Sequence, residues 1–324
     1  MRRVVIDTDG GVDDATALWW AVTDPDLDVV AVTAVWGNVP VEVAAANVLR
    51  VLHAAGRPDV PVAVGEAGPI GPTPPLRRAT FIHGDDGLGG TNRPPAPLQP
   101  VAEPAPALLA RVTAEHPGEV AIVTIGPLSN LARAVALDPG LPGRVDELFV
   151  MGGSVRRGGN ATPAAEANIA HDPDAAHVVA TAPWRVPPML VGLDVTLTAT
   201  LSPAELALAD ERRTPAAAYL AEPLRFYERF GASFTRPDCP CHDLLAVLAC
   251  ARPDVVVEAP VLPLCIDRAG GPAWGATIVD LRAPFFAADP DGRQASPDGF
   301  SPWRVALGVD VAAFRAHARA LFGD

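Results

Sequence analysis

The chain has 324 residues, a formal net charge of −13 and 49% hydrophobic residues. That apolar fraction supports a sizeable buried core, and the negative balance repels nucleic-acid phosphates and anionic lipid, so neither nucleic acid nor membrane is expected as a partner. There is no lysine, which excludes Schiff-base chemistry and the lysine of a phosphate-binding P-loop.

Val4, Val5 and Ile6 run directly into carboxylates, a stretch too short for a signal peptide, and no segment approaches a membrane span; a cytoplasmic location is expected. Apolar β-type runs at 3–6, 29–36, 62–64, 120–125, 147–151 and 188–193 alternate with helical patterns near 13–23, 40–55, 105–115, 129–137 and 173–181. Such alternation predicts an α/β fold, a mostly parallel sheet with helices on both faces. Further helices are expected near 203–210, 216–231 and 243–251, strands near 255–262, 276–280 and 304–309, and a closing amphipathic helix at 311–322. The Pro/Gly-rich stretch 66–104 carries His83-Gly84-Asp85-Asp86-Gly87-Leu88-Gly89-Gly90, so it reads as a functional loop rather than a boundary, and 1–324 reads as one domain. Cys239, Cys241, Cys250 and Cys265 fit buried, idle thiols better than a zinc site, because Cys239 and Cys241 have only one residue between them.

In a sheet of this kind ligands bind beyond the carboxyl ends of the strands. Asp7 and Asp9, Asn38, the Gly126–Asn130 turn, Met151-Gly152-Gly153 and Asp194 all fall there. The densest signal is Asp7-Thr8-Asp9-Gly10-Gly11-Val12-Asp13-Asp14, four carboxylates within eight residues at a strand–helix junction. Two like charges 4 Å apart repel by roughly 4 kcal/mol at an effective dielectric near 20, so the cluster requires protonation or a cation, and hard oxygen donors suit calcium or magnesium. The alternative is that Asp13 and Asp14 only complement the positive end of the helix. Asp7-Thr8-Asp9-Gly10 also resembles the opening of haloacid-dehalogenase-type phosphatases, but those use a lysine that this chain lacks. Asn160, Glu166 and Asn168 line a second polar segment suited to a polyhydroxylated sugar, or to a solvated loop with Asp172 as helix cap. His242 and Asp243 open an apolar helix, where Asp243 could serve only as a cap.

Taken together, these segments resemble the inosine–uridine-type nucleoside hydrolases, whose Asp-Thr-Asp-x-Gly-x-Asp-Asp opening stands here at residues 7–14. Gly37-Asn38-Val39, the His83–Gly90 run, Gly126-Pro127-Leu128-Ser129-Asn130, Met151-Gly152-Gly153, Asn160 through Asn168, Gly192-Leu193-Asp194 and His242-Asp243 follow in the family's order across nearly the whole chain. The resemblance implies a Rossmann-like sheet with its active site at the C-terminal strand ends. It implies hydrolysis of the N-glycosidic bond of a ribonucleoside, with uridine, cytidine or inosine as substrate. It also implies a calcium ion coordinated by Asp9, Asp14, Asp243 and the main-chain carbonyl of Ile125. Asp9 would be the general base and His242 the acid that protonates the departing base, with His83 on the base side. Asp13, Asn38 and Asn168 would hold the 2′- and 3′-hydroxyls, and Asn160 and Glu166 the 5′-hydroxyl, beside Met151. Relatives commonly form dimers or tetramers. Many carry an aromatic residue where this chain has Ala167, which leaves a modified nucleoside open as substrate; a nucleoside-binding relative without turnover is the other alternative. Phe226, Tyr227, Phe230 and Phe234 either stack on a base or pack inward.

Overall fold

A computed structural model of the chain describes residues 1–73, 76, 78–233, 238–282 and 298–323. The first strand extends beyond its apolar residues. β1 (Arg2–Thr8) pairs in parallel with β2 (Leu27–Ala34) as far as Thr8, and with β4 (Val120–Thr124) as far as Asp7. Main-chain pairing requires no apolar side chain, so the two flanking ladders carry the strand past Ile6 and draw Asp7 into the sheet. Also in this sheet are β3 (Val62–Val64), β5 (Leu148–Met151), β6 (Met189–Val191), β10 (Val261–Ile266), β11 (Thr277–Val279) and β12 (Ser301–Val305). Among the described residues it has nine strands in the order β11-β10-β12-β6-β5-β4-β1-β2-β3. Every neighbouring pair is parallel except those of β10 with β11 and β12. Two small antiparallel pairs stand apart: β7 (Thr200–Leu201) with β8 (Cys239–Pro240), and β9 (Val256–Glu258) with β13 (Gly308–Val309). The single strand expected over 255–262 is thus two strands in different sheets, parted at Ala259-Pro260.

Helices cover both faces, which is why the inner strands read as continuous apolar runs rather than alternating ones. Val4 and Ile6 of β1 pack in a cluster with α1 (Val12–Thr23) and α2 (Val41–Ala54), whereas Val5 packs on the opposite face with α4 (Ala105–Glu115) and α5 (Ser129–Leu137). The opposite face also holds α8 (Pro173–Thr181); the first adds α10 (Pro203–Asp210), α11 (Pro215–Ser233), α12 (His242–Ala251) and the closing helix Val311–Phe322. Four short helices have no clear apolar period in the sequence: α3 (Thr80–His83), α6 (Leu141–Arg144), α7 (Ala167–His171) and α9 (Leu193–Thr196). Cys239, Cys241 and Cys250 are buried, and all four cysteines are free thiols. No helix among the described residues is long and apolar enough to cross a membrane.

The topology selects where a ligand enters. From β1 the chain steps outward through β2 and β3, then returns to the other side of β1 and steps away through β4, β5 and β6. The connections leaving β1 and β4 diverge to opposite sides and open a crevice at their carboxyl ends.

Candidate active site

Asp9 leaves the end of β1 and sits at that crevice, 1% exposed. Asn38, beyond the end of β2, donates to it twice, from its main-chain N at 2.8 Å and from Nδ2 at 2.9 Å. Asp14, in the first turn of α1, accepts from Thr8 Oγ1 at 2.5 Å and from the Gly11 amide at 2.8 Å, so its carboxylate folds back over the turn that precedes the helix. Gly11 makes this possible. A β-carbon there would lie 2.6 Å from His83 Nδ1, 2.7 Å from Asn38 Nδ2 and 2.8 Å from Asp14 Oδ2. Three polar side chains converge on the space that any other residue would fill.

Asp243 arrives from a distant part of the chain because α12 packs beside α1. Both helices start at the crevice, so Asp13, Asp14 and Asp243 lie at adjacent positive helix ends. Each of the three offers an oxygen within 4.8 Å of the others. Asp9 is not among these three, its oxygens being turned to Asn38. Burial pushes Asp9 and Asp243 well above the ordinary carboxylate range and Asp13 up to about 8, and repulsion from neighbouring carboxylates adds to each. Such a group either holds protons or shares a cation, and its all-oxygen donors fit a hard divalent ion. Ile125, buried where β4 ends, is tied to β1 by its amide, which donates to the Asp7 carbonyl at 2.7 Å.

His83 closes one side. Its Nδ1 accepts from the Val12 amide at 3.2 Å, which places the proton on Nε2, and burial lowers its pKa to about 4. The neutral ring therefore makes no ion pair with Asp13, 3.9 Å away. Tyr227 of α11 lies beside it, ring centroids 5.3 Å apart, with its hydroxyl 3.4 Å from Asp13 Oδ2. His242, at the first turn of α12, has Nδ1 2.7 Å from Thr196 Oγ1 of α9; burial and the nearby His83 bring its pKa down to about 4. Of the aromatic residues singled out on the base side, Tyr227 reaches the acidic cluster; the Phe230 side chain and Phe234 lie outside the described residues.

The other polar segment lies at the end of β5. Asn168, in α7, donates from Nδ2 to the Met151 carbonyl at 3.1 Å. Glu166 caps α7 and accepts from the amides of Gly153, Asn168 and Ile169 at 2.9, 3.0 and 3.2 Å. Its carboxylate thus holds the turn after β5 against the start of α7. Asn160 is exposed and accepts from the Ala167 amide at 2.9 Å. Asp194 likewise serves the main chain, accepting from the amides of Val155 and Arg156 at 2.7 and 2.8 Å.

Thr8 and Thr196 belong to the family's motifs at residues 7–14 and 192–196, yet their place in the site was not legible, since neither motif records that Thr8 donates to Asp14 or that Thr196 meets His242, 46 positions away.

Comparison with known proteins agrees with this geometry. Residues 4–316 match the family model described as inosine-uridine preferring nucleoside hydrolase. The chain is similar to a probable uridine nucleosidase 2 of Arabidopsis thaliana, 36% identical over 78% of this chain and 79% of that protein. It is also similar to the non-specific ribonucleoside hydrolase RihC of Salmonella paratyphi B, 34% identical over 99% of this chain and 97% of the relative. A solved plant nucleoside hydrolase, PpNRh1, superposes with a TM-score of 0.90 at 31% identity, covering 99% of this chain and 98% of the other. With the acidic cluster at the crevice and a match over nearly its whole length, the chain belongs to the inosine-uridine preferring nucleoside hydrolase family and is an enzyme of that family.

Proposed function

We propose that this enzyme hydrolyses the N-glycosidic bond of ribonucleosides, with uridine, cytidine or inosine as substrate, releasing ribose and the free base. The observation that carries the reading is the convergence of four buried carboxylates, Asp9, Asp13, Asp14 and Asp243, with Asn38 at the crevice of a nucleoside hydrolase fold. The ribonucleoside as substrate class is supported by the names that the relatives carry.

Calcium is the proposed ion, held by Asp9, Asp14, Asp243 and the main-chain carbonyl of Ile125. Oxygen donors without sulfur or imidazole match its preference. When bound, the ion would supply positive charge that acidifies a nearby water. Asp9 then takes the proton of the attacking water as general base, oriented by its two hydrogen bonds from Asn38. Asp13, Asn38 and Asn168 hold the 2′- and 3′-hydroxyls; Asn160 and Glu166, beside Met151, take the 5′-hydroxyl. As the glycosidic bond stretches, the neighbouring carboxylates stabilise the oxocarbenium-like sugar. His242, whose Nδ1 lies 2.7 Å from Thr196 Oγ1, protonates the departing base. His83 and Tyr227 line the base side.

The test is a panel of natural nucleosides assayed for base release with calcium present. Turnover of uridine, cytidine or inosine is expected. Failure to hydrolyse any member would sink the proposal.

A further inference from the structure

One buried carboxylate has no part in the reaction proposed above. Asp172 is 0% exposed and stands at the junction of α7 and α8. Its Oδ1 accepts from the Ala175 amide at 3.0 Å, the bond of an ordinary helix cap. Capping does not account for Oδ2, which accepts from Ser129 Oγ at 2.7 Å and from the Ile70 amide at 2.8 Å. Those donors lie 43 and 102 positions away in the chain.

Ser129 extends the contact. Its hydroxyl donates to Asp172 and accepts from Trp36 Nε1 at 3.0 Å. The Trp36 ring stands edge-on to His171, centroids 5.2 Å apart and planes at 74°. His171 in turn lies 2.6 Å, at Nδ1, from the carbonyl of Ala167, the first residue of the same short helix. Trp36 precedes Asn38 by two residues, and Asp172 follows Asn168 by four. One chain of directed hydrogen bonds therefore joins the segments that carry the two asparagines assigned to the ribose, and neither segment is otherwise part of a long helix.

We infer that Asp172, acting through Ser129 and Trp36, is a positioning residue that sets the spacing between Asn38 and Asn168 and so the enzyme's preference for an intact ribose diol. This rests on the nucleoside hydrolase reading. Only an acceptor at both oxygens of residue 172 satisfies the donors around it; an asparagine would turn an NH2 group toward one set of them. The serine is the relay because a hydroxyl can accept and donate at once.

The test compares kcat/KM for uridine and 2′-deoxyuridine in the calcium-loaded enzyme and in Ser129→Ala, Ser129→Thr and Trp36→Phe. Losing one buried hydrogen bond in the relay is expected to narrow the ribose-to-deoxyribose ratio by about five- to tenfold in Ser129→Ala. Ser129→Thr, which keeps the hydroxyl, restores the ratio. Trp36→Phe, which keeps an aromatic ring and lacks the donor, narrows it in the same direction and covers the case of a Ser129→Ala protein that does not fold. A merely structural role would lower both substrates together, so a ratio within about twofold of wild type in both variants, whatever their melting temperatures, overturns the inference. A wild-type enzyme that hydrolyses neither substrate refutes the functional reading and this inference with it, whereas turnover with unchanged ratios refutes this inference alone.

Discussion

Metal-free protein is expected to lose stability as pH rises from about 4 to 8, and Asp7 supplies a share of that loss that can be isolated. The side chain is fully buried within β1. Its Oδ1 accepts from Thr33 Oγ1 at 2.5 Å and Asn130 Nδ2 at 2.7 Å, while Oδ2 has no partner among the described residues. Burial outweighs the two hydrogen bonds and raises the pKa to about 7 from an ordinary 3.8. The folded value exceeds the unfolded one, so the contribution is present in full below the unfolded pKa and is lost as pH climbs through the folded pKa. A shift of roughly three units at 1.36 kcal/mol each makes the loss about 4 kcal/mol, of which most falls between pH 4 and 7. Asp7→Asn removes this share, because the amide oxygen still accepts from Thr33 and Asn130 while the group no longer ionises. Urea unfolding of metal-free wild type and Asp7→Asn at fixed ionic strength, from pH 4.5 to 8, measures it. The variant should show the shallower pH dependence and be the more stable protein at pH 8. Wild-type stability that is flat or rises over this range, or an identical slope in the variant, would refute the reasoning. Calcium should act in the opposite sense, adding about 3 kcal/mol at a hundredfold excess over its Kd.

Asp9→Asn should reduce kcat on uridine by about 10² to 10⁴, the usual worth of a general base, and should raise the melting temperature of the metal-free protein at neutral pH by removing a carboxyl that ionises more readily in the unfolded chain than in the fold. A near-wild-type kcat would remove Asp9 from the mechanism. His242→Ala is expected to slow natural nucleosides far more than a nitrophenyl riboside, whose leaving group needs no proton; equal losses on both would argue against an acid at this position. Gly11→Ala keeps an ordinary backbone conformation, φ being −81°, yet drives a methyl into His83, Asn38 and Asp14. Kinetics should show a loss on the order of 10²-fold from displacing these groups, and an unaffected kcat/KM would mean that the crowding relaxes harmlessly.

Much of this enzyme was written in local pattern. Alternating apolar strands and helices predicted the parallel sheet, and the boundaries of α2, α4, α5 and α8 came out within a residue of expectation because capping and apolar period are local properties. The pairing of Asp7 and Thr8 within β1 and the division of 255–262 were not legible, since strand ends depend on which ladders flank them. Likewise the sequence pointed to Asp9, Asp13, Asp14, Asn38, His83 and Asp243 by chemistry and order, not by proximity. Their meeting depends on α12 packing beside α1, which brings Asp243 more than two hundred residues back to the N-terminal motif.

The same division holds for the finer parts of the site. Residue type and order were enough to announce an acidic crevice, because four carboxylates within eight residues at a strand end repel one another unless they share a proton or a cation. Only tertiary packing decided that Glu166 spends its oxygens on three main-chain amides, that Tyr227 reaches Asp13, and that Asp172 gathers donors from two distant segments. Hydrogen bonds act over about 3 Å, and no one-dimensional pattern records which residues folding will bring that close.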